Sequence, residues 1–284
     1  MKFTDKLAYA AKKNKSLVCV GLDPDPVLMP PGISVLEFNM QIISATYDLV
    51  CCYKPNFAFY EALGLGGMDA LKKTIEFVPK DIPVIGDAKR GDIGNTAKAY
   101  AKALFEYYGC DAATVSPYLG FDSLEPFINY KDKGVFILCR TSNAGGADFQ
   151  GLKIIPMSNT TNTTNNSINK PRVEESLFEY VAEKSAEWNK YGNIGLVVGA
   201  TYPEELKLIR QSHPEMLLLI PGIGAQGGDL ETVLHNGLNS NKEGAIINSS
   251  RQIIYASKGK DFAEAARKVA GELRDSINKY RFRI

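Results

Sequence analysis

The segment PVIGDAKRGDIGNTA places Asp87, Lys89 and Asp92 close together at the end of an apolar run, and the run CCY ends on Lys54. Asp87 and Lys89 stand two residues apart, so on an extended strand both side chains project to the same side. An ammonium flanked by carboxylates stays charged and oriented, which suits a group that must deliver a proton at one point. The same residues equally suit an ion-pair network tying a strand to the next helix, with Asp92 as the N-cap in GDIGNTAKAY. Spacing alone does not separate the two, since perturbed charges are structural as often as catalytic.

Other apolar runs also end on polar residues: Asp23 after LVCVGL, Ser116 after AATV, Thr141 and Ser142 after VFILCR, and Arg251 after AIINSS. The stretch LLLIPGIGAQGGD, running through Pro221 and Gln226, is rich in glycine. Such a loop lets the backbone approach a ligand and aims N–H groups at an anion near the next helix. Glycines alone are equally compatible with a plain turn. An arginine one run later, Arg251 after Ser249 and Ser250, can grip a phosphate through two donors and favours the phosphate assignment. His213 and His235 fall in stretches that read as helix ends and are taken as surface residues. No His, Cys and carboxylate cluster has metal spacing, and no GxGxxG follows the first run, so neither a metal nor a dinucleotide cofactor is expected.

These residues need a frame that gathers the ends of many runs at one place. Short apolar runs at 17–22, 51–54, 82–87, 112–115, 135–139, 194–198, 217–220 and 245–248 alternate with amphipathic stretches, among them 35–50, 95–108, 173–191 and 262–279. This is the pattern of repeated βα units around a parallel sheet. Eight units in 284 residues fit a single (β/α)8 TIM barrel of class α/β spanning 1–284, in which the active site forms at the C-terminal ends of the strands and phosphate sites recur after strands seven and eight. The Asn/Thr-rich segment 157–170 has too few apolar groups to fold alone and reads as a loop insertion after the fifth strand.

A formal net charge of only +1 supplies no global field toward nucleic acid or an anionic membrane, so an anionic ligand must be held locally. The first residues, MKFTDKLAYAAKKNKS, contain no uninterrupted apolar stretch of signal-peptide type, and no run reaches transmembrane length. Five cysteines without CxxC spacing read as buried reduced thiols of a cytoplasmic protein.

DAKRGDIGNTA resembles the D-x-K-x-x-D-I-x-N-T signature of the orotidine 5'-phosphate decarboxylase family, and GLDPDP, CCYKPNFAFYE, PGIGAQGGD and the SSR after the eighth run match its other landmarks in order. The YKPNFAFYE form and the long region after strand five are similar to the branch sometimes called type two. The resemblance implies a cofactor-free barrel enzyme that converts orotidine 5'-phosphate to uridine 5'-phosphate and CO2. By motif, Lys89 is the proton donor to C6, Asp87 lies beside the departing carboxylate, and Lys54 completes the charged network. Asp23 binds a ribose hydroxyl, Ser142 contacts the pyrimidine, and Gln226 and Arg251 hold the phosphate, with Pro221 and Ser250 in the same substrate site. Ser250 stands where the family motif often has glycine. The resemblance further implies that Asp92 and Thr96 reach into the partner subunit's site and hence that the protein is a homodimer.

Two rivals remain at this level. Mg2+-dependent phosphosugar enzymes on the same barrel, such as 3-keto-L-gulonate 6-phosphate decarboxylases, share D-x-K-x-x-D but place a carboxylate on strand two, where this chain has Lys54, and a lysine cannot ligate Mg2+. The other is a non-catalytic nucleotide binder whose charged triad is structural.

Overall fold

The computed structural model describes residues 1–156, 174–223 and 229–282. Eight parallel strands form its centre: β1 Val18–Leu22, β2 Cys52–Pro55, β3 Ile85–Arg90, β4 Ala112–Val115, β5 Gly134–Arg140, β6 Ile194–Val198, β7 Leu217–Pro221 and β8 Ala245–Ser249. Pairing runs from β2 through β1, β8, β7, β6, β5 and β4 to β3, and the bridges Tyr53–Val84 and Asn56–Asp87 join β2 to β3. The sheet therefore closes on itself as a (β/α)8 barrel.

Alternation along the strands divides the core in two. Val18, Val20 and Leu22 face outward into the main cluster with the helices, while Cys19 faces inward. The inner cluster takes one residue from every strand: Cys19, Cys52, Ile85, Ala112, Phe136, Val197, Leu219 and Ile246. A parallel sheet buried on both faces has near-continuous apolar strands for this reason. The helix Phe3–Lys13 plugs the barrel from below, with Phe3 set edge-on against Phe136 at 5.8 Å between ring centres. All five cysteines are buried free thiols.

β3 departs from the expected span. The apolar stretch 82–87 is centred too early, because Pro83 has no N–H to give and Val84 pairs only through its single bridge to Tyr53. The ladder instead runs to Arg90, which places both Asp87 and Lys89 on the strand. Helix ends were also overextended: Val35–Thr46 stops short of residue 50, and Gly94–Lys102 passes into a π-helical turn at Ala103–Tyr107. Its N-cap is Ile93, so Asp92 does not cap that helix. Capping boxes at Ser34 with Glu37 and at Ser176 with Glu179 start two other helices. The short antiparallel pair Lys153–Ile154 and Glu175–Ser176 flanks residues 157–173, so the polar segment 157–170 lies outside the described residues. No described helix is long and apolar enough to cross a membrane.

Candidate active site

At the carboxyl ends of β2, β3 and β4 the charged residues converge. Lys54 Nζ lies 2.8 Å from Asp87 Oδ2, and Lys89 Nζ lies 2.6 Å from Asp87 Oδ1. Thr114 on β4 donates its hydroxyl to the same Oδ1 at 2.9 Å and accepts the Lys89 backbone N–H at 3.0 Å. Register slips between Gly86 and Arg90, and Lys89 adopts φ 48°, a left-handed conformation uncommon for a side chain this long. Strain of this kind concentrates at functional sites, where surrounding contacts enforce it. Here the Thr114 bond and both partners of Asp87 supply that enforcement.

Burial is graded along the network. Lys54 and Asp87 are 5% and 8% exposed, whereas the Lys89 side chain remains 48% accessible. Burial alone would raise the Asp87 carboxyl, but the ammonium groups of Lys54 and Lys89 outweigh it and hold Asp87 well below the usual carboxylate range. Burial would likewise lower Lys54, but Asp87 and then Asp23 outweigh it and keep Lys54 above the usual lysine value. The arrangement is a buried Lys54–Asp87 ion pair that also holds the ammonium of the partly accessible Lys89 side chain.

Around this centre lie most of the remaining expected residues. Asp23 follows β1; its Oδ2 accepts a hydrogen bond from Ser250 Oγ at 2.6 Å, and its Oδ1 is buried without a partner among the described residues. Ser142 follows β5 and packs on Gly199 at the end of β6, where an added Cβ would fall 2.7 Å from the Ser142 N and Cβ atoms. Thr201 Oγ1 donates to the Ser142 carbonyl at 3.1 Å. The same loop is braced by Gln150 Oε1, which accepts the Thr141 N–H at 2.9 Å, and by Arg140, which stacks on Tyr202 and pairs with Glu205. Pro221 ends β7, beside Asn248 of β8. Arg251 is exposed at the start of the short helix Arg251–Ile254. Gln226 lies outside the described residues, as does 224–228 of the glycine-rich loop.

Asp92 and Thr96 do not join the cluster within one chain. Asp92 is half-buried and accepts the Ile93 N–H at 2.8 Å, while Thr96 is exposed on the following helix. Two residues escaped the sequence reading. Thr114 and Asn248 are buried polar residues inside strands, and the Asn248 Oδ1 has no partner among the described residues. Their signal was a polar side chain inside the run AATV for Thr114 and at the end of the run 245–248 for Asn248. A cavity of about 1390 Å³ lies at the opposite end of the strands, between the N-terminal helix and Arg274–Arg281, and is separate from these groups.

Comparison with known proteins places these landmarks in a broader setting. A model of the family described as "Orotidine 5'-phosphate decarboxylase / HUMPS family" matches residues 16–269. The chain is 56% identical over 284 residues to an orotidine 5'-phosphate decarboxylase of Dehalococcoides mccartyi strain CBDB1, covering 100% of both chains. The OMP decarboxylase structure of Leishmania donovani superposes with a TM-score of 0.81 at 40% identity, covering 99% of this chain and 100% of that one. The UMP synthase structure of the same organism gives a TM-score of 0.85 at 42% identity, and there this chain spans 57% of the larger protein's length.

Proposed function

From its membership of the orotidine 5'-phosphate decarboxylase / HUMPS family, to which this chain belongs, we infer that it decarboxylates orotidine 5'-phosphate to uridine 5'-phosphate in pyrimidine biosynthesis. The observation that carries the reading within the site is Asp87 held between Lys54 and Lys89 at the strand tips. Cleavage of the bond between C6 and the carboxylate releases CO2 and leaves the electron pair on C6, with no conjugated sink. A preoriented ammonium stabilises that charge in a low-dielectric site and then gives its proton to C6. Lys89, its side chain half accessible, its backbone N–H held by Thr114 and its Nζ by Asp87, takes that role, and solvent reprotonates it afterwards. Asp87 sits beside the departing carboxylate, and Lys54 keeps Asp87 ionised and in place.

Asp23 receives a ribose hydroxyl, Ser142 contacts the pyrimidine, and Arg251 holds the phosphate together with Gln226 and the loop containing Pro221. Binding energy from the distant phosphate then helps to assemble the site around the ring. Asp92 and Thr96 act across the interface of a homodimer, consistent with their lying apart from the cluster in one chain. The chain is one barrel domain and works in the cytoplasm. The Mg2+-dependent alternative is disfavoured by Lys54, whose ammonium occupies the strand-two position where that chemistry needs a carboxylate and would repel a second cation beside Asp87. The deciding experiment follows the absorbance of orotidine 5'-phosphate mixed with the protein in EDTA. Rapid conversion is expected; no change with folded protein would redirect attention to Mg2+-dependent phosphosugars and then to a binding role.

A further inference from the structure

The end of β8 and the turn after it hold the carboxylate that follows β1 from two sides. Ser250 Oγ donates to Asp23 Oδ2 at 2.6 Å, and Tyr255 donates its hydroxyl to the Asp23 carbonyl at 2.9 Å. The Asp25 N–H donates in turn to the Tyr255 oxygen. Tyr255 is itself fixed by stacking on Phe38, with ring centres 5.9 Å apart and planes 20° apart. Both the side chain and the main chain of Asp23 are thereby set. Its other carboxylate oxygen, Oδ1, is buried without a partner among the described residues. A buried acceptor left unpaired is costly, so it marks a place built to receive a donor.

The close approach of the two strands has its own requirement. A Cβ on Gly21 would stand 2.7 Å from Ser250 Cβ, so glycine at 21 is what admits a serine at 250. Ser250 immediately precedes Arg251. One short turn thus carries both the arginine assigned to phosphate and the hydroxyl that orients the sugar acceptor.

We propose that Ser250 and Tyr255 are positioning residues that lock Asp23 with Oδ1 presented to a single sugar hydroxyl, so that selection of a ribonucleotide depends on them. The proposal rests on the nucleotide reading above and gives Ser250, so far placed only within the substrate site, a role at the sugar. A carboxylate with one oxygen committed to Ser250 cannot rotate to share its charge. A nucleotide lacking the matching hydroxyl leaves Oδ1 unpaired, and the penalty appears as discrimination.

The test measures dissociation constants by titration calorimetry for UMP, 2'-deoxy-UMP and 3'-deoxy-UMP, with the wild type, Ser250→Ala and Tyr255→Phe. The wild type is expected to bind UMP about tenfold or more tightly than one of the two deoxynucleotides, the size of one hydrogen bond to a charged group. Ser250→Ala should close most of that gap by weakening UMP alone. Tyr255→Phe, which keeps the ring stacked on Phe38, should narrow the same gap. Equal weakening of all three ligands, or an unchanged gap in both variants, would overturn the proposal. Calorimetry reads binding without turnover, so a failure of the decarboxylase assignment would show separately in the absorbance assay.

Discussion

Replacing Lys54 with methionine keeps a side chain of similar bulk and removes the charge that faces Asp87. Unit charges 2.8 Å apart attract by roughly 6 kcal/mol at an effective dielectric constant of about 20. Desolvating the ammonium offsets part of this, but Asp87 is 8% exposed and stays buried with Lys89 as its remaining cation. Breaking one side of such a pair costs about 3–5 kcal/mol. In urea, at fixed protein concentration, the midpoint should fall by roughly 1 M or more for an m-value near 3 kcal/mol/M, with m itself unchanged. The pH dependence gives a second reading. Because Asp87 lies below its unfolded value, its contribution is fully present above the ordinary carboxylate range and is lost as pH falls through its lowered folded value. Removing Lys54 moves that folded value up, so the acid limb of stability should shift to higher pH. A Lys54→Met protein with the wild-type midpoint and the wild-type acid limb would refute the claim that Lys54 holds Asp87.

Lys89→Ala should lower kcat roughly 10²–10⁴-fold or more while UMP binding survives; substantial residual turnover would remove Lys89 as proton donor. Mixing Lys89→Ala chains with Asp92→Ala chains should restore about one intact site in four if Asp92 acts across a symmetric dimer, whereas no recovery would place Asp92 in its own chain's site. Arg251→Ala should raise KM roughly tenfold or more and lower kcat as well, and unchanged constants would dissolve the phosphate assignment.

Much of this architecture was legible because the chemistry and the fold share one rule: polar residues that end apolar runs meet at one face of a parallel barrel. Asp23, Lys54, Asp87, Ser142 and Arg251 all follow it. The rule fails where a polar residue sits within a run, as Thr114 does, since burial in a strand interior reads locally as an imperfection; Asn248 does end its run but is overshadowed there by the serines and arginine that follow. It also misplaced β3, because apolar content marks the core while ladder bonds mark the strand, and the two part at Pro83. The family resemblance places Ser250 only in the substrate site, and its partner Asp23 lies 227 positions away, a contact no local pattern carries. Barrel closure was likewise beyond periodicity, which counts strands but does not report that β2 meets β3.

The bond from Ser250 to Asp23 spans 227 positions of sequence and lies along the seam where β1 meets β8. Contacts between such distant segments are made late, after closure of a long loop has been met by other pairings. A chain still lacking β8 therefore already carries Lys54, Asp87 and Lys89 but not the Ser250 hydroxyl that holds Asp23 Oδ2. The geometry of Asp23 is therefore settled only when the last barrel strand has paired with the first.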